Sequence, residues 1–92
     1  MILTTYNVNM AVANTEYSFK VPSNTKYVLI KTRTGTDLLK FSYEQGTSGT
    51  VYMTIPAGST KTTVGTDNSS MSDVIIYFQS PTSDIVEIET GQ

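Results

Sequence analysis

Cysteine and histidine are both absent from this 92-residue sequence. The chain therefore has no disulfide, no thiolate or imidazole metal ligand, and no Ser-His or Cys-His pair for nucleophilic catalysis. Small secreted domains often use disulfides to supplement a thin core, so their absence favours synthesis in a reducing compartment or stabilisation by other subunits. We predict that the protein is not an enzyme and has no catalytic residues, no metal site and no cofactor.

Charged residues are also scarce. Six basic and eight acidic residues give a formal net charge of -2, and neither sign forms a run. Nucleic acids and anionic membranes are bound by clustered basic residues, so we expect neither as a partner. The first residues, MILTTY, lack the charged region, the long apolar run and the cleavage site of a signal peptide. We therefore expect them to remain in the mature chain.

Threonine and serine are abundant, and no segment has the apolar spacing of a helix. Short stretches of alternating or continuous apolar residues, separated by Pro, Gly and Asn, are typical of β-strands. The strands located in this way are residues 2–9, 16–21, 26–31, 38–43, 50–55, 74–80 and 84–89. This pattern predicts an all-β fold in which residues 1–92 form one antiparallel β-sandwich of about eight short strands, jelly-roll-like or Greek-key.

Residues 74–80 are the most apolar segment, with five consecutive apolar side chains from Val74 to Phe78. Such a run is too short to span a membrane and is rich in β-branched and aromatic residues. It predicts a strand covered on both faces at the centre of the core, so a charge at Ile76 should unfold the domain. Pro81 predicts a turn that joins this strand to residues 84–89 in an antiparallel hairpin.

The patterns of other segments predict where they lie in the sheets and which strand pairs with which. Residues 26–31 are apolar on both faces, which places them inside a sheet. Residues 38–43 and 50–55 flank a Gly-rich loop and resemble a hairpin, with Leu39, Phe41 and Tyr43 pointing inward.

The N-terminal segment, residues 1–9, has one moderately apolar face and is predicted to be either an arm or an edge strand. Tyr52 lies out of phase with the apolar face of its own strand, which predicts an exposed ring. The candidate subunit-contact residues are Ile2, Tyr6, Val8 and Tyr52.

Two stretches of the chain resemble each other at a spacing of about thirty residues, a period at which repeats should be considered. Residues 21–26 and 55–61 both contain a proline turn, and a Gly-Thr-Asp turn follows each of them. They are interpreted either as two strand–turn–strand units, one contributed to each sheet, or as the ordinary recurrence of Pro and Gly at strand ends.

Three features have a chemical interpretation that competes with a plainer one. Oxygen ligands at Asp67, Asn68, Ser69 and Asp73 could hold calcium, but their spacing does not match an EF-hand and a solvated turn is the plainer explanation. Glu87 and Glu89 could act as a carboxylate pair, but they are more typical of charges that protect a sheet edge from aggregation. An exposed tyrosine such as Tyr52 could stack on a sugar ring, which makes a carbohydrate-binding module the alternative function.

Residues 17–89 resemble the small all-β accessory proteins of tailed-bacteriophage virions. The resemblance lies in the type and order of the sequence segments and includes no diagnostic motif. The segments that carry it are Phe19-Lys20-Val21-Pro22, Thr54-Ile55-Pro56-Ala57-Gly58, Ile76-Tyr77-Phe78-Gln79-Ser80-Pro81 and Ile85-Val86-Glu87-Ile88-Glu89. Proteins of this family decorate capsids, join head to tail or form fibre segments, usually as symmetric oligomers. No catalytic or ligand-binding residues carry over from them.

The resemblance implies a non-enzymatic virion structural protein of the capsid-decoration or head-associated type. Its expected partners are the major capsid protein or other virion proteins, together with further copies of itself. Its expected location is the virion, after synthesis in the host cytoplasm. The alternative is a tail-fibre-like carbohydrate-binding or adhesion module, for which a glycan would be the partner.

Overall fold

The computed structural model describes residues 2–65 and 74–92, and all of their regular secondary structure is β-strand. The strands, in chain order, are β1 (Leu3–Met10), β2 (Tyr17–Lys20), β3 (Tyr27–Thr32), β4 (Leu39–Ser42), β5 (Met53–Ile55), β6 (Lys61–Val64), β7 (Ile75–Gln79) and β8 (Asp84–Gly91). Seven of them correspond to segments located in the sequence. The exception is β6, whose short polar sequence KTTV has no apolar run to identify it.

The strands form two four-stranded sheets, sheet I with the order β1-β8-β3-β6 and sheet II with the order β2-β7-β4-β5. All pairings are antiparallel, and four of them are nested: β1 with β8, β2 with β7, β3 with β6 and β4 with β5. Nested pairs of this kind arise when one long antiparallel hairpin folds over on itself. The folding also makes β8 a hydrogen-bonded neighbour of β3, and β7 a neighbour of β4. The result is a jelly-roll β-sandwich, so the predicted fold class is confirmed.

The predicted hairpin across Pro81 is wrong. The two strands that flank this proline, β7 and β8, lie in different sheets. Ser80 lies where the chain crosses from one sheet to the other, and two hydrogen bonds hold it there. Its buried hydroxyl donates to the carbonyl of Leu38, and its own carbonyl accepts from the N–H of Asn14. In contrast, the predicted hairpin of residues 38–43 and 50–55 is confirmed, with Leu39 opposite Ile55, and β3 lies inside sheet I as expected.

The two similar stretches occupy equivalent places in the fold. Each proline turn takes the chain from sheet II to sheet I, between β2 and β3 in one case and between β5 and β6 in the other. The chain then returns to sheet II in β4 and in β7. Each unit is therefore shared by both sheets, and the prediction of one unit per sheet is wrong. The final strands of the two units, β4 and β7, are hydrogen-bonded neighbours within sheet II.

The core lies between the sheets and is built from alternate residues of the strands. Its buried apolar members are Met10, Val21, Val28, Ile30, Leu39, Phe41, Ile55, Ile76, Phe78, Val86 and Ile88. In β7, Ile76 and Phe78 face the core, whereas Ile75, Tyr77 and Gln79 are half-buried on the other face. The prediction that this strand is covered on both faces is therefore wrong, although its position inside sheet II and in the core is as expected.

Two further predictions are corrected by the position of strand ends and sheet edges. Tyr43 lies beyond the end of β4 and is 45% exposed, so it is not buried in the core as Leu39 and Phe41 are. Glu87 and Glu89 belong to β8, which has β1 on one side and β3 on the other. Their carboxylates therefore do not protect an edge.

Candidate functional site

The loop between β4 and β5, residues 43–52, folds back over the outer face of sheet II. Ser48, in the middle of the loop, is completely buried. Its hydroxyl donates to the Glu16 carboxylate and accepts a hydrogen bond from Gln79 Nε2 at 3.0 Å. Glu16 also accepts from the N–H of Gly46 at 2.8 Å and from that of Ser48 at 3.1 Å. One carboxylate just before β2 therefore fixes the conformation of a loop through Gly46 and Ser48, which lie 30 and 32 residues away in the sequence.

These hydrogen bonds change the acidity of Glu16. The hydrogen bond from the Ser48 side chain is the strongest influence and lowers the pKa of the carboxyl. Burial, the next strongest, raises this pKa, and the two backbone N–H groups lower it again, so that it lies below its ordinary value. The folded chain thus binds this proton more weakly than the unfolded chain does. Glu16 stabilises the fold fully above its ordinary pKa of 4.5, and this contribution is lost as the pH falls below that value.

We expect Glu16→Gln to lower the free energy of unfolding at neutral pH by about 1 kcal/mol. This loss is smaller than the usual contribution of a hydrogen bond to a charged group, because water reaches the carboxylate and weakens the interaction. The variant should also lose less stability than the parent protein between neutral pH and about pH 3. Urea unfolding at the two pH values measures both effects. Glu44→Gln, an exposed carboxylate of the same loop, is the matched control, and an equal acid sensitivity of the parent and Glu16→Gln would contradict the assignment.

The loop and the ends of β4 and β5 enclose an open cleft of about 320 Å³, here called the β4–β5 cleft. Its lining is mostly apolar and consists of Phe41, Ser42, Tyr43, Glu44, Thr47, Val51, Tyr52 and Met53. Four of these apolar side chains are strongly exposed, with exposed fractions of 74% for Val51, 54% for Met53, 45% for Tyr43 and 40% for Tyr52. Large apolar side chains that are clustered on a surface, rather than scattered, are typical of interaction sites.

The aromatic rings of the cleft are held by specific contacts. Tyr43 packs edge-on against Phe41 with ring centroids 5.9 Å apart, and its hydroxyl lies 3.4 Å from the hydroxyl of Thr63 on β6. The ammonium of Lys40 lies 4.9 Å from the centroid of Tyr52, within cation–π distance. The cleft therefore presents ordered rings to solvent, which reduces the side-chain entropy lost when a partner binds.

The structure does not bring the four predicted contact residues together. Tyr52 lines the β4–β5 cleft, but the other three lie on or next to β1, at the opposite side of the sandwich. Ile2 is 67% exposed, whereas Tyr6 and Val8 are partly buried against the core. Tyr6 packs on Phe19 of β2, with ring centroids 5.0 Å apart.

Tyr43 and Val51 line the cleft, although both fall within the segments 38–43 and 50–55 that the sequence predicts to be strands. Both lie outside the observed strands, since β4 ends at Ser42 and β5 begins only at Met53, so the alternation does not extend through the loop. The Gly-rich sequence between the two strands was the available signal that the strands are shorter than their apolar patterns.

The acidic pair of β8 interacts with its neighbours on the outer face of sheet I. Glu87 forms ion pairs with Lys31 at 3.6 Å and with Arg33 at 3.0 Å. Glu89 accepts a hydrogen bond from the Tyr27 hydroxyl at 2.5 Å, which raises the pKa of Tyr27. The two carboxylates thus have separate partners.

Within residues 2–65 and 74–92, no three carboxylate, imidazole or thiol groups are grouped so that they could hold a metal ion. The proposed calcium ligands, residues 67–69 and 73, lie outside the described residues. The same part of the chain contains no helix that is long and apolar enough to cross a membrane.

Comparisons with protein-family models, with curated protein sequences and with solved structures found no significant match.

Proposed function

We propose that the protein is a non-enzymatic structural component of a tailed-bacteriophage virion, of the capsid-decoration or head-associated type. It binds the major capsid protein or another virion subunit through the β4–β5 cleft. Two things support this proposal: the resemblance of residues 17–89 to small virion accessory proteins and the jelly-roll sandwich, an architecture that recurs in viral capsid domains. Since a fold does not define a function, the proposal depends on the site.

The observation that carries the proposal is the group of exposed apolar side chains around the cleft. Val51, Tyr52 and Met53 are adjacent in the chain and are all at least 40% exposed. Removing such side chains from water stabilises a complex by about 25 cal/mol per Å² of apolar surface. Tyrosine and methionine are also enriched in interface centres, whereas glutamate and lysine are depleted there. A subunit with a shallow apolar surface would bury these residues best.

We expect Val51→Asp to abolish association with virion particles while the domain stays folded. Val51 is 74% exposed, so the carboxylate is hydrated in the free protein but would lose its water against an apolar partner. The measurement is co-sedimentation with particles assembled from the structural proteins encoded in the same genome.

The matched control is Val64→Asp, the same substitution at a side chain that is 69% exposed on β6 and does not line the cleft. It should bind particles as the parent protein does. Equal binding by the parent and both variants would place the contact elsewhere. No binding by the parent protein, or a gene neighbourhood without capsid, portal or tail genes, would contradict the virion role itself.

A carbohydrate-binding module is the second candidate, and the cleft also supplies the observation that favours it. Tyr43 and Tyr52 line the cleft together with the polar residues Glu44 and Thr47, and sugars are bound by such combinations of rings and hydrogen-bonding groups. Lys40 lies over the Tyr52 ring, so that face is not open to a sugar. Glycan-array binding that is lost in Tyr52→Ala and kept in Tyr52→Phe would establish this function in place of the first.

A further inference from the structure

We infer that two copies of this chain pair through the free edge of β1, so that the two copies of sheet I join into one continuous antiparallel sheet. The joined sheet would have the strand order β6-β3-β8-β1 followed by β1-β8-β3-β6 of the second copy. This edge is separate from the β4–β5 cleft, and the inference goes beyond the proposed function.

The free edge of β1 differs from the other three edges of the sandwich. A β-sheet edge presents unpaired backbone groups, and monomeric proteins protect such edges with short strands, charged side chains, prolines or bulges. The edge strands β2, β5 and β6 have only four, three and four residues, and β2 and β6 each carry a lysine, Lys20 and Lys61. In contrast, β1 has eight residues, LTTYNVNM, without charge, proline or glycine. It also pairs with β8 along its whole length without a bulge.

The pairing of β1 with β8 identifies which backbone groups are available. Ile2 and Gln92 exchange both backbone hydrogen bonds, at 2.7 and 2.9 Å. Hydrogen-bonded and non-hydrogen-bonded pairs alternate along an antiparallel ladder, so the even-numbered residues of β1 point their N–H and C=O groups towards β8. The odd-numbered residues point theirs away from β8, and these are Leu3, Thr5, Asn7 and Asn9. No strand of the described residues pairs with this side of β1.

A second copy of β1 matches this edge. When two antiparallel copies are centred on Tyr6, Leu3 of one copy lies opposite Asn9 of the other, and Thr5 lies opposite Asn7. Every outward N–H and C=O of the four residues then has a partner, and the arrangement has the two-fold symmetry that is commonest among homodimers. A register centred on Thr5 or Asn7 would leave one of the four residues unpaired at each end.

The side chains are compatible with the same register. On the core-facing side Tyr6 meets its own copy, and Thr4 meets Val8, so the partly buried Tyr6 and Val8 would lose further apolar surface to the partner. On the outer side the exposed Thr5 meets Asn7. Because β1 has no charged residue, no like charges are opposed. Ile2, Tyr6 and Val8 thereby become contact residues of one interface.

The first test removes one outward donor. Thr5→Pro deletes an N–H that points away from β8, and proline is tolerated at such edge positions. The parent protein should sediment with about twice the monomer mass of 10.1 kDa, whereas Thr5→Pro should sediment as a monomer. Thr5→Val, which keeps the N–H, should remain a dimer. A monomeric parent protein over the full soluble concentration range, or a dimeric and folded Thr5→Pro, would overturn the inference.

The second test fixes the register and does not depend on how well the proline variant folds. The chain has no cysteine of its own, and the Cα atoms of a hydrogen-bonded antiparallel pair are about 5.5 Å apart, which suits a disulfide. An equimolar mixture of Thr5→Cys and Asn7→Cys should form a crosslinked dimer under mild oxidation. A mixture of Thr5→Cys and Thr62→Cys, with the second cysteine exposed on β6, should not, and equal crosslinking of both mixtures would rule out the proposed register.

The outcome separates this inference from the virion role. A monomer that still co-sediments with particles would overturn the β1 interface and leave the proposed function intact. A dimer that is lost in Thr5→Pro but never binds particles would support the interface and contradict the virion role.

Discussion

Ile76→Asp is expected to abolish the folded state. Ile76 is 3% exposed in the middle of β7 and lies opposite Phe19 of β2. A domain of this length has a free energy of unfolding of about 5–14 kcal/mol, from roughly 0.05–0.15 kcal/mol per residue. Removing a buried aliphatic side chain costs about 2–5 kcal/mol, and burying an unpaired carboxylate costs several kcal/mol more, so the sum reaches or exceeds the lower half of that range of unfolding free energies. Circular dichroism and urea unfolding should show a largely unfolded or aggregated chain.

The neighbouring residue supplies the control. Ile75 has the same side chain, but it is half-buried on the outer face of β7, opposite Lys20 of β2. In Ile75→Asp the carboxylate can stay hydrated near an ammonium group, so we expect a loss of about 1 kcal/mol or less. If Ile76→Asp instead unfolded cooperatively at the same urea concentration as Ile75→Asp, the core would not lie on the side of β7 that the structure shows.

Gly35→Ala is expected to be the most destabilising alanine substitution among the three described glycines with positive φ, at roughly 2–3 kcal/mol. Gly35 has a φ of 64°, where a side chain costs about 1–2 kcal/mol. A Cβ atom there would also lie 3.1 Å from the Cα and 3.4 Å from the backbone nitrogen of Gly58. Both atoms belong to the backbone, so relief requires that two turns move apart. Differential scanning calorimetry should show a fall in Tm of about 4–8 °C per kcal/mol.

Substitutions at two other glycines measure the cost of backbone strain separately from the cost of the contact between Gly35 and Gly58. Gly46 has a φ of 83° and open space where its Cβ would lie, and Gly58 has a φ of 76° with its nearest neighbour at an ordinary 3.9 Å. Alanine at either position should therefore cost only the strain of the left-handed conformation, about 1–2 kcal/mol. Equal losses for all three variants would show that the close approach of Gly35 to Gly58 does not matter.

The contact between Gly35 and Gly58 joins two turns that are far apart in the sequence. Gly35 lies in the connection from β3 to β4 and Gly58 in the connection from β5 to β6. The sequence indicates that both are turns, since glycine is favoured where φ is positive. It contains no local signal that the two turns touch, because they are brought together only when both sheets have formed.

Much of the fold follows from local patterns. Alternation over residues 16–21 and 84–89 correctly indicated which side chains of β2 and β8 face the core, because successive side chains of a strand point to opposite faces. The lack of helical periodicity, together with short apolar segments separated by turn residues, predicted a small all-β sandwich. The same patterns located Tyr52 as an exposed ring, which the structure places in the β4–β5 cleft.

Strand partners and sheet edges were decided by the tertiary structure alone. The apolar run at β7 and the turn at Pro81 are equally compatible with a hairpin and with a crossing between sheets, and the jelly roll uses the crossing. In the sequence, Glu87 and Glu89 are typical of charges on an edge strand, because they belong to the last of the predicted strands. Pairing with β1 instead places them in the interior of sheet I. Hydrogen-bond partners across a sheet are distant in sequence, so local residues carry little information about them. The sequence by itself therefore determined the positions of seven of the eight strands in the described residues and which of their faces are apolar. Only the tertiary structure decided which strands meet, and with that the position of the cleft and of the long unprotected edge of β1.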